Sequence, residues 1–280
     1  MTNPMPISIH PVHSIEECRL IEQLQLDIWG SSDLEVAPDH LVLTLAKEGG
    51  VVLLVCDGQK PVGFGFAFIG QDEYQRLKLA SHQVGVLPAY QNQGIGYKIK
   101  LAQREAALAR GLDHITWTYD PLQGRNARFN MHKLGTVCNT YIRELYGRMR
   151  NPLNEGLPSD RFRVDWWIAT DHVAARLRRE INEPALSPST APVLNPATIL
   201  DNGLPAPLDS FASPEAAFCR VEIPADIQRL KTEAPDLAWQ WHRQTRAIFE
   251  TVFEAGYTAT DLLRHEGRNY YLLQKDWQPA

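Results

Sequence analysis

The chain has few cysteines, four in 280 residues (Cys18, Cys56, Cys138 and Cys219), scattered and without a C-x-x-C pair, which argues against a disulfide framework or a zinc site. No apolar run is long: Val51–Cys56 and Val62–Ile69 fall far short of the ~20 residues that cross a bilayer. No secretory pattern precedes Ile7. Nor is there an excess of basic residues, since 28 Lys and Arg face 33 Asp and Glu for a net charge of −5; nucleic-acid backbones demand clustered cations. His10 and His13 have no companions at metal-ligand spacing. These absences describe a cytoplasmic chain with reduced thiols, no metal, and neither membrane nor nucleic acid as partner. Two phosphate-binding signatures are missing as well. A P-loop needs Gly-Lys-Ser/Thr after four spacer residues, and a dinucleotide fingerprint needs Gly or Ala where Ile99 stands.

What is present is ordinary for a globular protein, with 44% hydrophobic and 22% charged residues. At this length the chain holds one large domain or two. Ile7–Val12 alternates as a strand, and Ser14-Ile15-Glu16-Glu17 reads as a capping box opening a helix with Ile15, Cys18, Ile21 and Leu24 or Gln25 inward. Pro38–Lys47 is a second expected helix, burying Leu41, Val42 and Leu45 and ended by Gly49-Gly50. Asp57-Gly58 between the two apolar runs predicts a hairpin. In its second strand Phe64, Phe66 and Phe68 alternate with Gly63, Gly65 and Ala67, leaving a bare face on which a helix or a ligand can approach.

Leu79–Leu87 is the next strand. It runs into Gln91-Asn92-Gln93-Gly94-Ile95-Gly96, followed by a helix over about 96–110 with Ile99, Ala102, Ala106 and Ala109 inward and Lys98, Lys100, Arg104 and Arg110 mostly solvated. A helix start offers amides without internal partners and partial positive charge, so a pyrophosphate can dock on it. Ile115–Tyr119 is a further, parallel strand ending at Asp120-Pro121-Leu122, and ligands of open α/β sheets bind beyond such strand ends. A helix from about Asn126 to Leu134 stops at Gly135. Strands at Val137–Leu145 and Phe162–Ala169 are joined by a loop with Asn151-Pro152 and Gly156-Leu157-Pro158.

The Gln-x-x-Gly-x-Gly spacing after Val86-x-Pro88 resembles motif A of the GNAT acyltransferases, and the order of elements over about 1–170 resembles their fold. Ser81-His82-Gln83, Trp117-Thr118-Tyr119-Asp120-Pro121-Leu122, Asn126-Ala127 with Asn130, Lys133-Leu134-Gly135, Tyr141, Tyr146-Gly147, Asn154 and Leu157-Pro158-Ser159-Asp160-Arg161 are similar to a poorly characterised branch of that superfamily. The resemblance implies an α/β mixed-sheet fold and an acyl-CoA donor, acetyl-CoA or another. Gln91, Asn92, Gln93, Gly94, Ile95 and Gly96 would hold its pyrophosphate. The backbone at Val84 and Val86 would run beside the pantetheine, where an amide can polarise the thioester carbonyl. Asn126 and Asn130, one helical turn apart, are assigned to pantetheine or acceptor hydrogen bonds, with a capping role open for Asn126.

Direct attack by an amine requires loss of a proton. An amine of pKa about 10.4 is neutral in only about one molecule in a thousand near pH 7.4, a cost of roughly 4 kcal/mol, and a positioned base recovers about 10²–10⁴-fold. His82 and Asp120 are the candidates, each with a structural alternative: a hydrogen-bonded strand histidine, and a turn residue before Pro121. Many GNAT enzymes carry a tyrosine four residues before the helix-ending glycine to protonate the departing thiolate. Met131 stands there, so Tyr141 and Tyr146 are the nearest substitutes. Arg161 is a candidate for binding a carboxylate.

Glu183–Pro214 carries seven prolines and reads as an extended connector. Beyond it come a strand at Phe218–Ile223, a helix from Leu237 to about Ala255, Gly256, and strands at Tyr257–Leu263 and Asn269–Gln274. The expected organisation is an acyl-CoA-binding domain over 1–171, a Pro-rich connector over 172–214, and a smaller C-terminal α+β unit over 215–280. That unit is either a degenerate second GNAT-like half or an unrelated appendage, and covering the acceptor cleft or forming a homodimer are roles left open for it. The leading expectation is transfer of acetyl or succinyl to the amine of a small molecule such as an amino acid. A non-catalytic CoA-binding protein and a protein-lysine acetyltransferase are the alternatives.

Overall fold

The computed structural model describes residues 6–30, 36–147, 156–178 and 190–279. It divides into two compact units, Met1–Trp117 and Thr118–Ala280. In the first, β1 (Ile7–Pro11), α1 (Ile15–Trp29), α2 (Asp39–Lys47), β2 (Val51–Asp57), β3 (Lys60–Gln71), β4 (Leu77–Val86), α3 (Ile95–Leu108) and β5 (His114–Tyr119) follow in order, β5 running on in sequence into the second unit. Strands β1 to β4 pair antiparallel in sequence order. β5 lies parallel to β4, making the sheet mixed.

Local sequence dictates most of this. Ser14 and Glu17 close the capping box, and Glu17 also meets His10 Nε2 at 3.1 Å. The β2–β3 hairpin turns through Gly58 at φ +60°. Val52, Leu54, Cys56, Phe64 and Phe66 form one core with Cys18, Ile21, Leu24, Val42 and Leu45. The bare face of β3 receives α3, as expected of a helix there: a Cβ on Gly65 would lie 2.6 Å from Ile99 Cγ2. Helices therefore cover β2 on both faces, and it is buried from Val51 to Cys56.

Two faces differ from expectation. Leu41 is 45% exposed on the outer side of α2. On α3 the buried row is Ile95, Ile99, Gln103 and Ala107, with Lys100 beside it; Ala102 and Ala106 are half-buried and Ala109 is exposed. The helix is rotated because Ser81 on β4 supplies hydrogen bonds for polar groups on its inner side.

The second unit contains α4 (Gly124–Ala127), a π-helical continuation over Arg128–Lys133, β6 (Val137–Ile142), β7 (Arg161–Trp167), α5 (Asp171–Arg178), β8 (Thr198–Ile199), β9 (Pro205–Ala206), β10 (Phe218–Ile223), α6 (Ile227–Glu233), α7 (Pro235–Glu254), β11 (Tyr257–His265) and β12 (Arg268–Lys275). Its strands lie in the order β7-β6-β11-β12-β10. The helix expected over 126–134 thus starts two residues earlier and widens to π geometry, and the strand expected to reach Leu145 ends at Ile142 in a turn. Asn151, Pro152 and Asn154 lie outside the described residues, as does the proline-rich stretch before residue 190. Its described remainder is packed, not simply extended: Leu194, Asn195 and Leu204 are buried, and β8 pairs with β9. Helix α7 lays Phe249 against Phe162 of β7, with ring centroids 4.7 Å apart, and against Tyr271 of β12 at 5.2 Å.

Candidate acyl-donor and proton-transfer site

In the first unit β4 ends at Val86, a single 3-10 turn over Pro88–Tyr90 follows, and the chain enters α3 through Asn92 (φ +64°) and Gly94 (φ +78°). Gly94 is the N-cap and offers no side-chain cap. The first intrahelical bond at this end runs from Lys98 N–H to Gly94 O at 3.0 Å. The amides of Ile95, Gly96 and Tyr97 therefore precede any carbonyl one turn back. A Cβ on Gly94 or Gly96 would meet no protein atom within 4 Å, so a side chain at either position would project from the turn into the space before the helix. Gln91, Asn92, Gln93 and Gly94 are exposed, while Ile95 is buried as the anchor. Two glutamines brace the turn: Gln91 Nε2 donates to Val86 O at 3.1 Å and Gln93 Nε2 to Ala89 O at 3.1 Å.

The strand leading in has a matching edge. Leu87 N–H donates to Val62 O of β3 at 2.9 Å, and Val84 and Val86 pair opposite Gly65 and Gly63. Antiparallel ladders alternate, so the N–H groups of Val84 and Val86 point away from β3, toward the other edge. On that edge β5 is paired only at Leu79↔Ile115 and Ala80↔Thr116. Between Ser81 and Gln83 the register slips by one residue, which makes His82 a β-bulge. Its exposed ring stands 5.6 Å from both Phe66 and Phe68. Partial burial against these rings lowers its pKa, keeping the imidazole neutral near pH 7.

Below the bulge lies a group that the sequence pattern placed in solvent. Lys100 is 4% exposed, donates from Nζ to Ser81 Oγ at 2.8 Å and lies 3.5 Å from the centre of the Trp117 ring. Ser81 Oγ donates to Gln103 Oε1 at 3.0 Å. Burial drives the Lys100 pKa well down. Nothing in a helical pattern marks this lysine; only its neighbour Ser81 does.

The other candidates belong to the second unit. Asp120 closes a turn, accepting from Leu122 N–H at 2.9 Å and from Gln123 Nε2 at 3.3 Å. Burial raises its pKa, against the pull of those bonds and of Arg161. Asn130 is buried and donates to the exposed Asn126 at 3.4 Å. Met131 is wholly buried. Tyr146 is 48% exposed; its hydroxyl pairs with Thr118 Oγ1 at 2.9 Å, and the buried Arg161 guanidinium lies 5.6 Å from its ring centre.

Tyr141 has a different neighbour. Its hydroxyl donates to Asp160 at 2.6 Å, and burial together with that carboxylate pushes its pKa far up. Asp160 is 2% exposed and also accepts from Glu144 N–H at 3.0 Å and bidentately from Arg246 at 2.7 and 2.8 Å. His242 Nε2 lies 3.1 Å from it, off the line of a hydrogen bond. Burial alone would raise the Asp160 carboxyl, but contacts from His242, Arg246, Tyr141 and Glu144 outweigh it and hold it well below the usual range. Sequence reasoning quoted Asp160 only as part of a block and missed His242 and Arg246, which are linked to it through space and by no motif. Among the described residues no cluster of His, Cys, Asp and Glu fits a metal ion, and no helix is long and apolar enough to cross a membrane.

No curated protein matches the chain. Among solved structures, a GNAT-family acetyltransferase from Desulfovibrio desulfuricans is 12% identical with a TM-score of 0.46, covering 59% of this chain and 100% of its own. The ribosomal-protein-S18-alanine N-acetyltransferase from Escherichia coli is 13% identical with a TM-score of 0.47, over 58% of this chain and 94% of its own. An acetyltransferase from Salmonella typhimurium, solved with acetyl-CoA, is 17% identical with a TM-score of 0.45, over 58% and 94%. The model of the acetyltransferase (GNAT) family matches residues 17–135, which span the β4 edge, the glycine turn and α3, and over that stretch the chain is similar to the family.

Proposed function

We propose that this chain is an N-acyltransferase that moves an acetyl group, with succinyl as the alternative donor, from acyl-CoA to the amine of a small molecule such as an amino acid. The match to the acetyltransferase (GNAT) family over residues 17–135 supports an acyl-CoA donor. The observation that carries the reading is the junction of β4 and α3. There, a helix start with open glycines at Gly94 and Gly96 follows on an edge where the Val84 and Val86 N–H groups point off the β3 ladder. The first suits a pyrophosphate, and the second suits the oxygen of a thioester carbonyl as it gains charge.

In this reading the amine attacks the thioester carbon directly. His82, kept neutral by its phenylalanine neighbours, and Asp120, raised by burial, are the alternative candidates for the base that takes the proton from the attacking nitrogen. Tyr146 is the group that returns a proton to sulfur, because Tyr141 spends its own on Asp160. Asn126 and Asn130 serve pantetheine or acceptor hydrogen bonds. Arg161 is assigned to an acceptor carboxylate.

A second reading, a CoA-binding protein without catalysis, draws on the buried Met131 where a proton donor is usual in the family. The deciding experiment incubates the protein with acetyl-CoA or succinyl-CoA, each with pooled amino acids and polyamines, and seeks acylated products by mass spectrometry. A protein-dependent product identifies donor and acceptor together. Silence from both donors alongside measurable CoA binding selects the second reading or a macromolecular acceptor.

A further inference from the structure

Lys100 and Gln103 stand one turn apart on α3 and both belong to its buried side, Lys100 4% exposed and Gln103 wholly buried. Ser81 bonds to both, and its one oxygen is used in both directions: it accepts from Lys100 Nζ and donates to Gln103 Oε1. What remains is donors. Gln103 Nε2 is buried with no acceptor among the described residues. Lys100 Nζ, which carries up to three N–H groups, has Ser81 as its hydrogen-bond acceptor and otherwise faces the Trp117 ring. No carboxylate pairs with it among the described residues, and burial is the cause of its lowered pKa. Buried donors left unmade are costly, and the group that would complete this pair is an anion with two acceptor oxygens. Its place in the sheet says where such an anion would come from. β4 and β5 last pair at Ala80↔Thr116. Ser81 and Trp117, the two residues that touch the lysine, are the next on each strand, so Lys100 marks the point where the strands part. Further along β4 the Val84 and Val86 N–H groups point off the β3 ladder on this same edge.

We infer that Lys100 and Gln103 form a carboxylate subsite where β4 and β5 part, and that the acyl donor is a dicarboxylic acyl-CoA of succinyl length, its free carboxylate held there while its thioester carbonyl lies on the Val84 and Val86 amides. The inference rests on the acyl-CoA reading above and selects between its two donors. A rise of about 3.3 Å per residue places Ser81 roughly 7–10 Å back along β4 from Val84. With C–C bonds of about 1.5 Å an acetyl group ends far short of that distance. A succinyl group adds two methylenes and a carboxylate and, with a hydrogen bond of about 2.8 Å at each end, spans it. The Trp117 ring face then backs the ammonium from one side while the carboxylate meets it from another. Ser81, Gln103 and Trp117 are all uncharged, so in the empty protein nothing offsets the burial of Lys100; an anion beside the nitrogen favours its charged form, and binding takes up a proton.

The test is calorimetry on the full chain with CoA, acetyl-CoA, butyryl-CoA and succinyl-CoA, butyryl being the uncharged chain of equal length. Succinyl-CoA should bind about 10-fold or more tighter than butyryl-CoA, as a hydrogen bond between charged partners does. At about pH 8 its binding should take up a proton, seen as a heat that changes with the ionisation enthalpy of the buffer, while acetyl-CoA takes up none. Lys100→Met should bring succinyl-CoA to within about twofold of butyryl-CoA and abolish the uptake, moving the affinity for acetyl-CoA far less. A merely structural lysine would alter neither the preference nor the uptake. Gln103→Met should lose part of the preference. Should Lys100→Met unfold, Lys100→Gln, which keeps a donor and drops the charge, must show the same loss. Free succinate added to the CoA complex should give no proton uptake; if it does, the carboxylate arrives with the acceptor and the inference about the donor falls. Equal binding of succinyl-CoA and butyryl-CoA, or a preference that survives loss of the Lys100 charge, would overturn the inference while leaving the acyl-CoA reading intact. A wild-type protein that binds none of the four, CoA included, would overturn that reading and this inference together.

Discussion

Gly94 and Gly96 differ in what a side chain would cost them. Gly94 sits at φ +78°, so any side chain strains its backbone, whereas Gly96 is helical and a Cβ there would meet nothing within 4 Å. Gly96→Ala should therefore hold or raise stability, by up to ~1 kcal/mol through the unfolded chain's lost freedom, yet weaken acyl-CoA binding because its methyl projects into the amide cradle. Urea titration beside calorimetry separates the two, and unchanged affinity would remove the turn from the donor site. Lys100 is the residue whose environment departs furthest from its pattern. Burial depresses its pKa, so below the ordinary amine value near 10.4 the unfolded chain holds the extra proton, and stability rises as pH climbs from neutral toward alkaline. Lys100→Met should flatten that rise and lift Tm at pH 7 by about 2–4 °C for each kcal/mol recovered. A variant with the wild-type pH slope would mean that the lysine is solvated after all.

At the scale of elements, β4 and α3 act as one part. The bulge at His82 turns its ring to the face carrying Phe66 and Phe68, and one strand residue earlier Ser81 faces Lys100 and Gln103 of α3. The helix presses so closely on β3 that Gly65 has no room for a methyl beside Ile99. Gly65→Ala is expected to cost about 1–3 kcal/mol by overpacking, read as a lower urea midpoint. It should weaken acyl-CoA binding too, because shifting α3 shifts the turn at its start. A loss of stability with affinity untouched would show that strand and turn are independent. The alternation of Phe and Gly on β3 was legible in the sequence, including the helix that covers its bare side. The rotation of α3 was not, since apolar periodicity weighs Ala102 and Ala106 above a lysine whose partners lie on another strand.

At the scale of the molecule, global stability should carry an acid-labile component from the second unit. His172 is held to about 4, chiefly by burial and then by Arg176, and its ring packs 5.7 Å from Trp277. The folded ring stays neutral while the unfolded one, near 6.5, takes a proton. Stability contributed by His172 is thus complete above pH 6.5 and is lost as pH falls toward 4. Urea unfolding between these limits should show His172→Gln less pH-sensitive than the wild type; equal slopes would place the ring in solvent. Most elements were readable from the chain: the capping box at Ser14, the Asp57-Gly58 hairpin, the Gln-x-x-Gly-x-Gly turn and the strand at Phe218–Ile223 each rest on neighbours within a few residues. What depends on distant residues was decided only on folding. A single residue of slip in pairing made His82 a bulge, Ser81 made Lys100 an interior group, and Arg246 and Tyr141 converge on Asp160 from positions 86 and 19 residues away. The sequence by itself determined the periodic elements and the glycine turn, because their causes are local sterics and capping. Which ionisable groups meet, and with what pKa, was left to the tertiary structure, because burial and charge pairing are properties of packed surfaces that no local pattern encodes.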